Sequence, residues 1–355
     1  MKGGYFMRIF DYSKYENYKW DSEILKKISS IYNNKGRLEV LLLQNSLTFN
    51  KLTESAKFES IVGSNTIEGI ITTTHRFKQI INENSTPKNR TEQEISGYRD
   101  TLNIINENYE YIEITPNYIL QLHNILYKNV SGNSFGGKYK NVQNYISASN
   151  ERGERYTLFA PLDPFETPKA IEDICNEYNE AIKKGVTNPL ILTFIFIQDF
   201  LSIHPFNDGN GRTSRLLTNL MLYKLGYFVG KYISLENKIA ESKDSYYDVL
   251  YDSQKDWHSG KNNPTPFINY MLGILAKAYI DLEQKIQMSN QNMSAYEIVK
   301  HCLFGKIGKI TKSELAEMCP TLSTSSVEKS IKQLVEEGKL EKQGKGKNTF
   351  YVIKL

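Results

Sequence analysis

The chain has 355 residues, of which 40% are hydrophobic and 24% charged, a profile that excludes a disordered or collagen-like polymer and leaves material for two or three domains. A net charge of +4 is small for this length and does not by itself argue for nucleic acid, but its location is uneven: Gln291–Leu355 holds eleven lysines, seven glutamates and neither Arg nor Asp, so the whole surplus lies there. Cys175, Cys302 and Cys319 form no CxxC pair, which argues against a disulfide framework or zinc site and fits a reducing compartment.

The start, MKGGYFMRIFDYSKY, lacks the apolar core of a signal peptide. The longest apolar run, Pro189–Ile197, falls short of the roughly 20 residues that cross a bilayer. The expectation is a cytoplasmic chain with no membrane partner.

In chain order, Ser22–Tyr32, Leu38–Phe49, Ser55–Glu68 and Glu92–Glu107 carry the spacing of amphipathic helices, with a loop over Asn84–Arg90. Pro116 opens a helix over Tyr118–Tyr127. After the Gly- and Ser-rich Ser131–Gly137, two short strands are predicted at Lys138–Ser147 and Tyr156–Pro161, with Asn150–Gly153 supplying the turn. Helices resume at Pro168–Lys184 and, behind the Asn188-Pro189 start signal, run to Ile203. Further helices follow at about Gly211–Leu225, Lys243–Ser253 and Pro266–Met288, then a linker over Ser289–Met293. The rest reads as helices Ala295–Phe304, Lys312–Met318 and Ser325–Glu337 and strands Leu340–Gln343 and Thr349–Lys354, joined by Gly344–Lys347, the order of a winged helix. The expected divisions are an N-terminal helical region over 1–110, a central domain over 111–288 and the terminal module over 294–355.

The chemistry concentrates in His204-Pro205-Phe206-Asn207-Asp208-Gly209-Asn210-Gly211-Arg212-Thr213-Ser214-Arg215. Pro205 stops an apolar helix and leaves His204 facing a loop. Gly209 and Gly211 let the backbone turn tightly and approach a ligand. The helix that begins there offers free N–H groups and the positive end of its dipole to an anion. Arg212 and Arg215, three apart, share one face of its first turn and match a polyphosphate. Asp208 can hold Mg²⁺ together with phosphate oxygens, and His204 can act as a general base near neutral pH. Together these are the parts of a phosphoryl or nucleotidyl transfer site. A calcium loop is ruled out by Arg212 in a ligand position and Asn219 where the closing Glu belongs. The GxxxxGK pattern at Gly132–Lys138 leads into Tyr139 and a strand, so it is not a P-loop.

HPFNDGNGRTSR resembles the Fic family signature HPFx[D/E]GNGRxxR at every fixed position. The resemblance implies a mainly α fold, a Fic-type helical core with a β-hairpin flap. It implies a protein adenylyltransferase, moving AMP from ATP to a Tyr, Ser or Thr hydroxyl of a target protein, itself included. By it, His204 deprotonates the hydroxyl, Asp208 binds Mg²⁺ on the α- and β-phosphates, Gly209, Asn210, Gly211 and the loop amides hold the α-phosphate, and Arg212 and Arg215 contact the β- and γ-phosphates. Upstream, Ser64-Asn65-Thr66-Ile67-Glu68-Gly69 resembles the family's inhibitory motif [S/T]xxxE[G/N], which implies that Glu68 pairs with Arg215 and keeps it from the γ-phosphate. Gly137–Ile146 resembles the flap, with Lys140 where the family usually has Arg and Ala160-Pro161 where it has two prolines. Tyr246 and Tyr247 resemble a tyrosine pair at the adenine pocket.

His75, His123, His258 and His301 are read as structural. Two rival functions share these residues: a DNA-binding regulator whose Fic domain senses nucleotide, and a Fic enzyme that removes AMP or moves another phosphate-linked group. The helix Ser325–Glu337, which a winged helix would present to DNA, has two Lys against three Glu and no Arg or Asn, so protein docking is an equal expectation for that module. The sequence leaves open whether the chain works alone or as a homodimer.

Overall fold

The computed structural model describes residues 8–44, 46–82, 85–132, 134–149, 155–291, 294–304, 309–319, 322–344, 346 and 349–353. The chain divides into two compact units, Met1–Ile31 with Ser55–Ala278, and Tyr32–Glu54 with Tyr279–Leu355. Helices dominate: α1 (Ser22–Gln44), α2 (Ser46–Ile67), α3 (Thr74–Ile81), α4 (Arg90–Asn108), α5 (Pro116–Tyr127), α6 (Thr167–Lys184), α7 (Pro189–Ile203), α8 (Asn210–Lys224), α9 (Leu235–Glu241), α10 (Lys243–Gln254) and α11 (Thr265–Gln291). Between α5 and α6, β1 (Ile146–Ser149) pairs antiparallel with β2 (Arg155–Phe159).

The first unit is built around α7 and α8. Every residue of α7 from Leu190 to Ile203 is buried, so this helix has no solvent face. Asn188 caps it by accepting from the Leu190 N–H, and Pro189 occupies the position where a missing N–H costs nothing. α8 is buried from Arg212 to Tyr223 and returns antiparallel to α7 through a six-residue loop. The loop between these two central helices is the stretch singled out above.

Two glycines set how closely helices dock. A Cβ at Gly97 in α4 would lie 1.9 Å from the Leu126 carbonyl oxygen of α5. A Cβ at Gly63 in α2 would lie 2.8 Å from the Asn237 backbone nitrogen at α9. The N-terminal segment is fastened by a buried pair, Arg8 to Asp199 at 3.1 Å. Asp199 also accepts from Trp257 Nε1 at 2.7 Å and Tyr12 Oη at 3.0 Å, so the buried carboxylate is fully engaged.

In the second unit, α12 (Ala295–Phe304), α13 (Lys312–Met318) and α14 (Thr324–Glu336) pack on a three-stranded antiparallel sheet of β3 (Lys309–Ile310), β4 (Leu340–Gln343) and β5 (Phe350–Ile353) in the order β3-β5-β4. Val299, Leu303, Ile310, Leu315, Val327, Ile331, Leu334 and Leu340 form its core. A reciprocal cap between Thr311 and Glu314 starts α13. Lys312 pairs with Glu328 at 2.6 Å and Lys332 with Glu336 at 3.7 Å, so part of the local charge is neutralised within the module.

Several elements differ from the sequence expectation. The helix expected at Ser22–Tyr32 and the first part of that expected at Leu38–Phe49 merge into α1, because a helical Gly36 costs only about 1 kcal/mol, while Ser46–Phe49 falls in α2. α2 begins at Ser46 and not Ser55. The first hairpin strand pairs only from Ile146; Lys138–Tyr145 is irregular, and its Lys140 and Asn144 side chains donate to carbonyls between Ile203 and Phe206. α11 continues through Gln291 across most of the expected linker. α3, α9 and β3 had no sequence signal strong enough to place them, being short. The hairpin turn Asn150–Gly153 and the turn lysines Lys345 and Lys347 lie outside the described residues.

The α4–α5 crossing gives a direct test. Gly97→Ala should lower stability by about 1–3 kcal/mol, because the added methyl meets backbone and not a flexible side chain. Urea denaturation followed by far-UV circular dichroism measures it, and a midpoint equal to the parent's would refute the close approach.

Candidate active site

His204 closes α7 in the left-handed conformation, with φ 53° and ψ 62°. Its N–H still donates to the Phe200 carbonyl at 3.0 Å, so the helix ends by turning sharply rather than by fraying. The imidazole Nδ1 lies 3.3 Å from the Leu201 carbonyl, which assigns the proton to Nδ1 and leaves the Nε2 lone pair available. Burial lowers the His204 pKa from 6.5 to about 4; the Leu201 carbonyl opposes this, Lys140 reinforces it, and Glu68 and Asp208 oppose it. At neutral pH the ring is therefore uncharged and able to accept a proton.

The loop after His204 is held by its own side chains. Asn210 accepts from the Phe206 N–H at 2.8 Å and donates to the Phe206 carbonyl at 2.7 Å. Its amide is thus spent on closing the loop, and the anion-facing groups are left to the backbone. Gly209 has φ 82°, and a Cβ there would lie 2.7 Å from the Tyr127 ring. Only glycine meets both demands.

Arg212 and Arg215 project from the first turn of α8, as their spacing predicts, but into different partners. Arg212 is 1% exposed; it donates to Tyr127 Oη at 2.6 Å and pairs with Glu94 at 2.8 Å. Its Nε has no hydrogen-bond acceptor among the described residues, an orphaned donor in a buried site that would match an anion. Arg215 donates through Nε to Ser64 Oγ at 2.8 Å, and through Nη2 to the Ser64 carbonyl at 3.0 Å and Glu68 Oε1 at 2.7 Å. The two motifs, 151 residues apart at Ser64 and Arg215, thus meet in one cluster.

Glu68 stands just past the end of α2, where Gly69 takes φ 74° and Lys243 Nζ caps the Ile67 carbonyl at 2.7 Å. Its carboxylate lies over the start of α8: a Cβ on Gly211 would be 2.2 Å from Glu68 Oε1. A negative group therefore already occupies the amide-lined helix start. Burial would raise the Glu68 pKa, but the charge and hydrogen bond of Arg215 outweigh it and hold the carboxyl below the usual range.

Asp208 is half exposed, accepting from the Gly209 N–H at 2.7 Å through Oδ1 and from Arg90 Nη2 at 3.2 Å through Oδ2. Among the described residues no group of three or more His, Cys, Asp and Glu side chains converges into a metal cage. One accessible carboxylate beside an anion site is still the arrangement Mg²⁺ accepts, since it takes its other ligands from phosphate and water. Tyr246 is buried and Tyr247 is 40% exposed beside it, ring centroids 5.4 Å apart. Burial raises both phenols, and the charges of Arg215 and Glu68 reach both, so the pair flanks the cluster.

Sequence reasoning missed the supporting groups. Glu94, Tyr127 and Arg90 carry no motif, and only folding brings them to the loop; the sequence marks Lys140 as part of the flap, not as a residue buried beside His204. His123 is structural as read: it stacks on Phe206 at 3.7 Å, accepts from the Gly137 N–H through Nδ1 and contacts the Asp208 carbonyl through Nε2. His258 contacts the Ala160 carbonyl at 2.8 Å, and the His301 side chain lies outside the described residues.

A profile of the Fic/DOC family matches residues 113–222. A Fido domain-containing protein of Dictyostelium discoideum is 34% identical over 104 residues, covering 27% of this chain and 73% of that protein. Protein adenylyltransferase Fic of Drosophila willistoni is 28% identical over 207 residues, covering 57% of this chain and 39% of the relative. Among solved structures, a Fic family protein from Desulfovibrio desulfuricans superposes with a TM-score of 0.62 at 20% identity, covering 95% of this chain and 97% of the other. A Fic domain-containing signalling protein from Bacteroides thetaiotaomicron gives 0.59 at 23% identity, covering 75% and 97%. The chain belongs to the Fic/DOC family. It spans about two fifths of the length of the curated adenylyltransferase it matches in Drosophila willistoni.

The buried histidines make stability pH-dependent. His123 and His204 are both lowered from 6.5 to about 4, so between those values the unfolded chain binds protons that the folded chain refuses. Stability should fall as pH drops from 6.5 to about 4, by on the order of 3 kcal/mol for the fully buried His123. Urea titrations at pH 7.0 and pH 4.5 check this, and equal midpoints would refute it.

Proposed function

We propose that this chain is an autoinhibited protein adenylyltransferase that moves AMP from ATP onto a Tyr, Ser or Thr hydroxyl of a target protein. The observation that carries the reading is the joining of Arg215 to Ser64 and Glu68 at the start of α8, one loop from a neutral His204. A proton acceptor, an anion nest, two arginines and an accessible carboxylate converge there, and the Drosophila willistoni relative named above is titled a protein adenylyltransferase.

In this reading the triphosphate lies along the start of α8. Backbone amides from Gly209 to Gly211 and the free Arg212 Nε hold its inner phosphates, while Tyr247 borders the adenine. Asp208 would hold Mg²⁺, which when bound neutralises charge on the α- and β-phosphates. The target hydroxyl oxygen forms a bond to the α-phosphorus, the bond from that phosphorus to the bridging oxygen breaks, and pyrophosphate leaves. His204 Nε2 takes the hydroxyl proton. The β1–β2 hairpin would present the target segment by strand addition.

Glu68 sets the resting state. With its carboxylate on Arg215 and over Gly211, the γ-phosphate meets a negative charge where it needs a positive one. ATP is left in an unproductive pose until Glu68 moves. The charge pairing inside the terminal module supports a protein-docking role for it over base reading on DNA. The same site would accept AMP removal or another phosphate-linked donor; nucleotide competition separates these.

Glu68→Gly should raise labelling of the chain or its target by [α-³²P]ATP about ten- to hundredfold. His204→Ala in that background should cut it by about a hundredfold or more. Unchanged labelling by Glu68→Gly sinks the inhibition, and undiminished labelling by His204→Ala sinks the transfer mechanism.

A further inference from the structure

We propose that Lys140 and Asn144, in the segment leading into the hairpin, are positioning residues for His204, gripping the carbonyls on both sides of it and fixing the turn that aims its imidazole. The inference rests on His204 acting as the base.

A non-glycine residue in the left-handed region, as His204 is, is strained and persists only where its surroundings hold it. The holders here come from one short segment. Lys140 Nζ donates to the Ile203 carbonyl at 2.9 Å. Asn144 Nδ2 donates to the His204 carbonyl at 3.3 Å and to the Phe206 carbonyl at 3.0 Å. The Lys140 backbone N–H donates to the Pro205 carbonyl at 2.8 Å. Four consecutive carbonyls, from Ile203 to Phe206, are thus bound by two residues, themselves joined by Lys140 Nζ to Asn144 Oδ1 at 3.1 Å.

The charge on Lys140 is not incidental. The side chain is buried, forms no ion pair within contact distance among the described residues, and burial brings its pKa down to about 8 against the opposing charge of Asp163. A buried cation without a counter-ion is expensive. At the C-terminus of α7, where carbonyls lack helical partners and the dipole is negative, it is partly compensated. From there it disfavours the imidazolium of His204, against Glu68 beyond α2 and Asp208 in the loop, which favour it. The clamp therefore fixes the direction of the ring and adds to the burial that keeps it neutral. Because β1 begins at Ile146, two residues after Asn144, a target strand docking on the hairpin would bear on the same clamp.

The test uses the full chain with Lys140→Met, Asn144→Ala and Lys140→Arg, each in the parent and Glu68→Gly forms. Two readouts are needed: transfer kinetics with ATP, and the titration of His204 by NMR in nucleotide-free protein. Lys140→Met and Asn144→Ala should lower kcat about ten- to hundredfold with KM for ATP little changed. Lys140→Met should also move the His204 titration upward toward 6.5, and Lys140→Arg should restore both. If Lys140→Met does not fold, Asn144→Ala carries the test, since it strands no buried charge. Parent-like kcat, or an unmoved His204 titration in Lys140→Met, overturns the inference. Transfer that survives His204→Ala overturns the base assignment instead.

Discussion

A guanidinium buried in a protein core must be neutralised, and Arg215 is 3% exposed. That requirement organises the site. Ser64 of α2 supplies two oxygens and Glu68, just past the end of that helix, the charge, so α2 is held against α8 by these contacts. Arg212, one turn back, is answered separately by Glu94 and Tyr127 from α4 and α5. Each arginine thus recruits a different helix, and the loop between α7 and α8 is framed on two sides by the neutralisation of the charges at its end.

The second frame comes from the hairpin segment, which binds the carbonyls that α7 cannot satisfy for itself. Lys140 and Asn144 spend their polar groups on this loop and not on strand pairing, and β1 starts only at Ile146. Main-chain geometry at His204 and side-chain chemistry around it are therefore solved by the same residues.

What the sequence disclosed follows from where the information lies. His204–Arg215 is contiguous, so its turn, helix start and paired arginines are all readable from spacing. α7 is legible because a run of apolar residues behind Asn188-Pro189 admits few other structures. Ser64 and Glu68 were readable only as a spacing of four, and their meaning came from Arg215. Glu94 and Tyr127 were not readable as site residues, and Lys140 and Asn144 were readable only as part of the flap, not as donors to the turn at His204. Tyr127 lies 85 residues from Arg212 and Lys140 63 from Ile203, and nothing local marks a lysine destined to be buried. Asn210 shows the converse: its place in the loop suggested a ligand contact, and the fold adds a role no spacing shows, its amide closing the backbone on Phe206. Gly36 shows the limit of breaker signals, because a penalty of about 1 kcal/mol is small beside the packing of a 23-residue helix.

The absence of a side chain at Gly63 has a consequence for how such a chain can drift. α2 touches the backbone at Asn237 there, with no methyl between them. Any larger residue would lift the helix by a few tenths of an ångström or more, and the lift would be felt one turn on, where Glu68 meets Arg215. Positions 63 and 68 are therefore not free to vary independently: a lineage that keeps the carboxylate for its present contact must also keep the gap beneath it, and one that loses the contact is released from both.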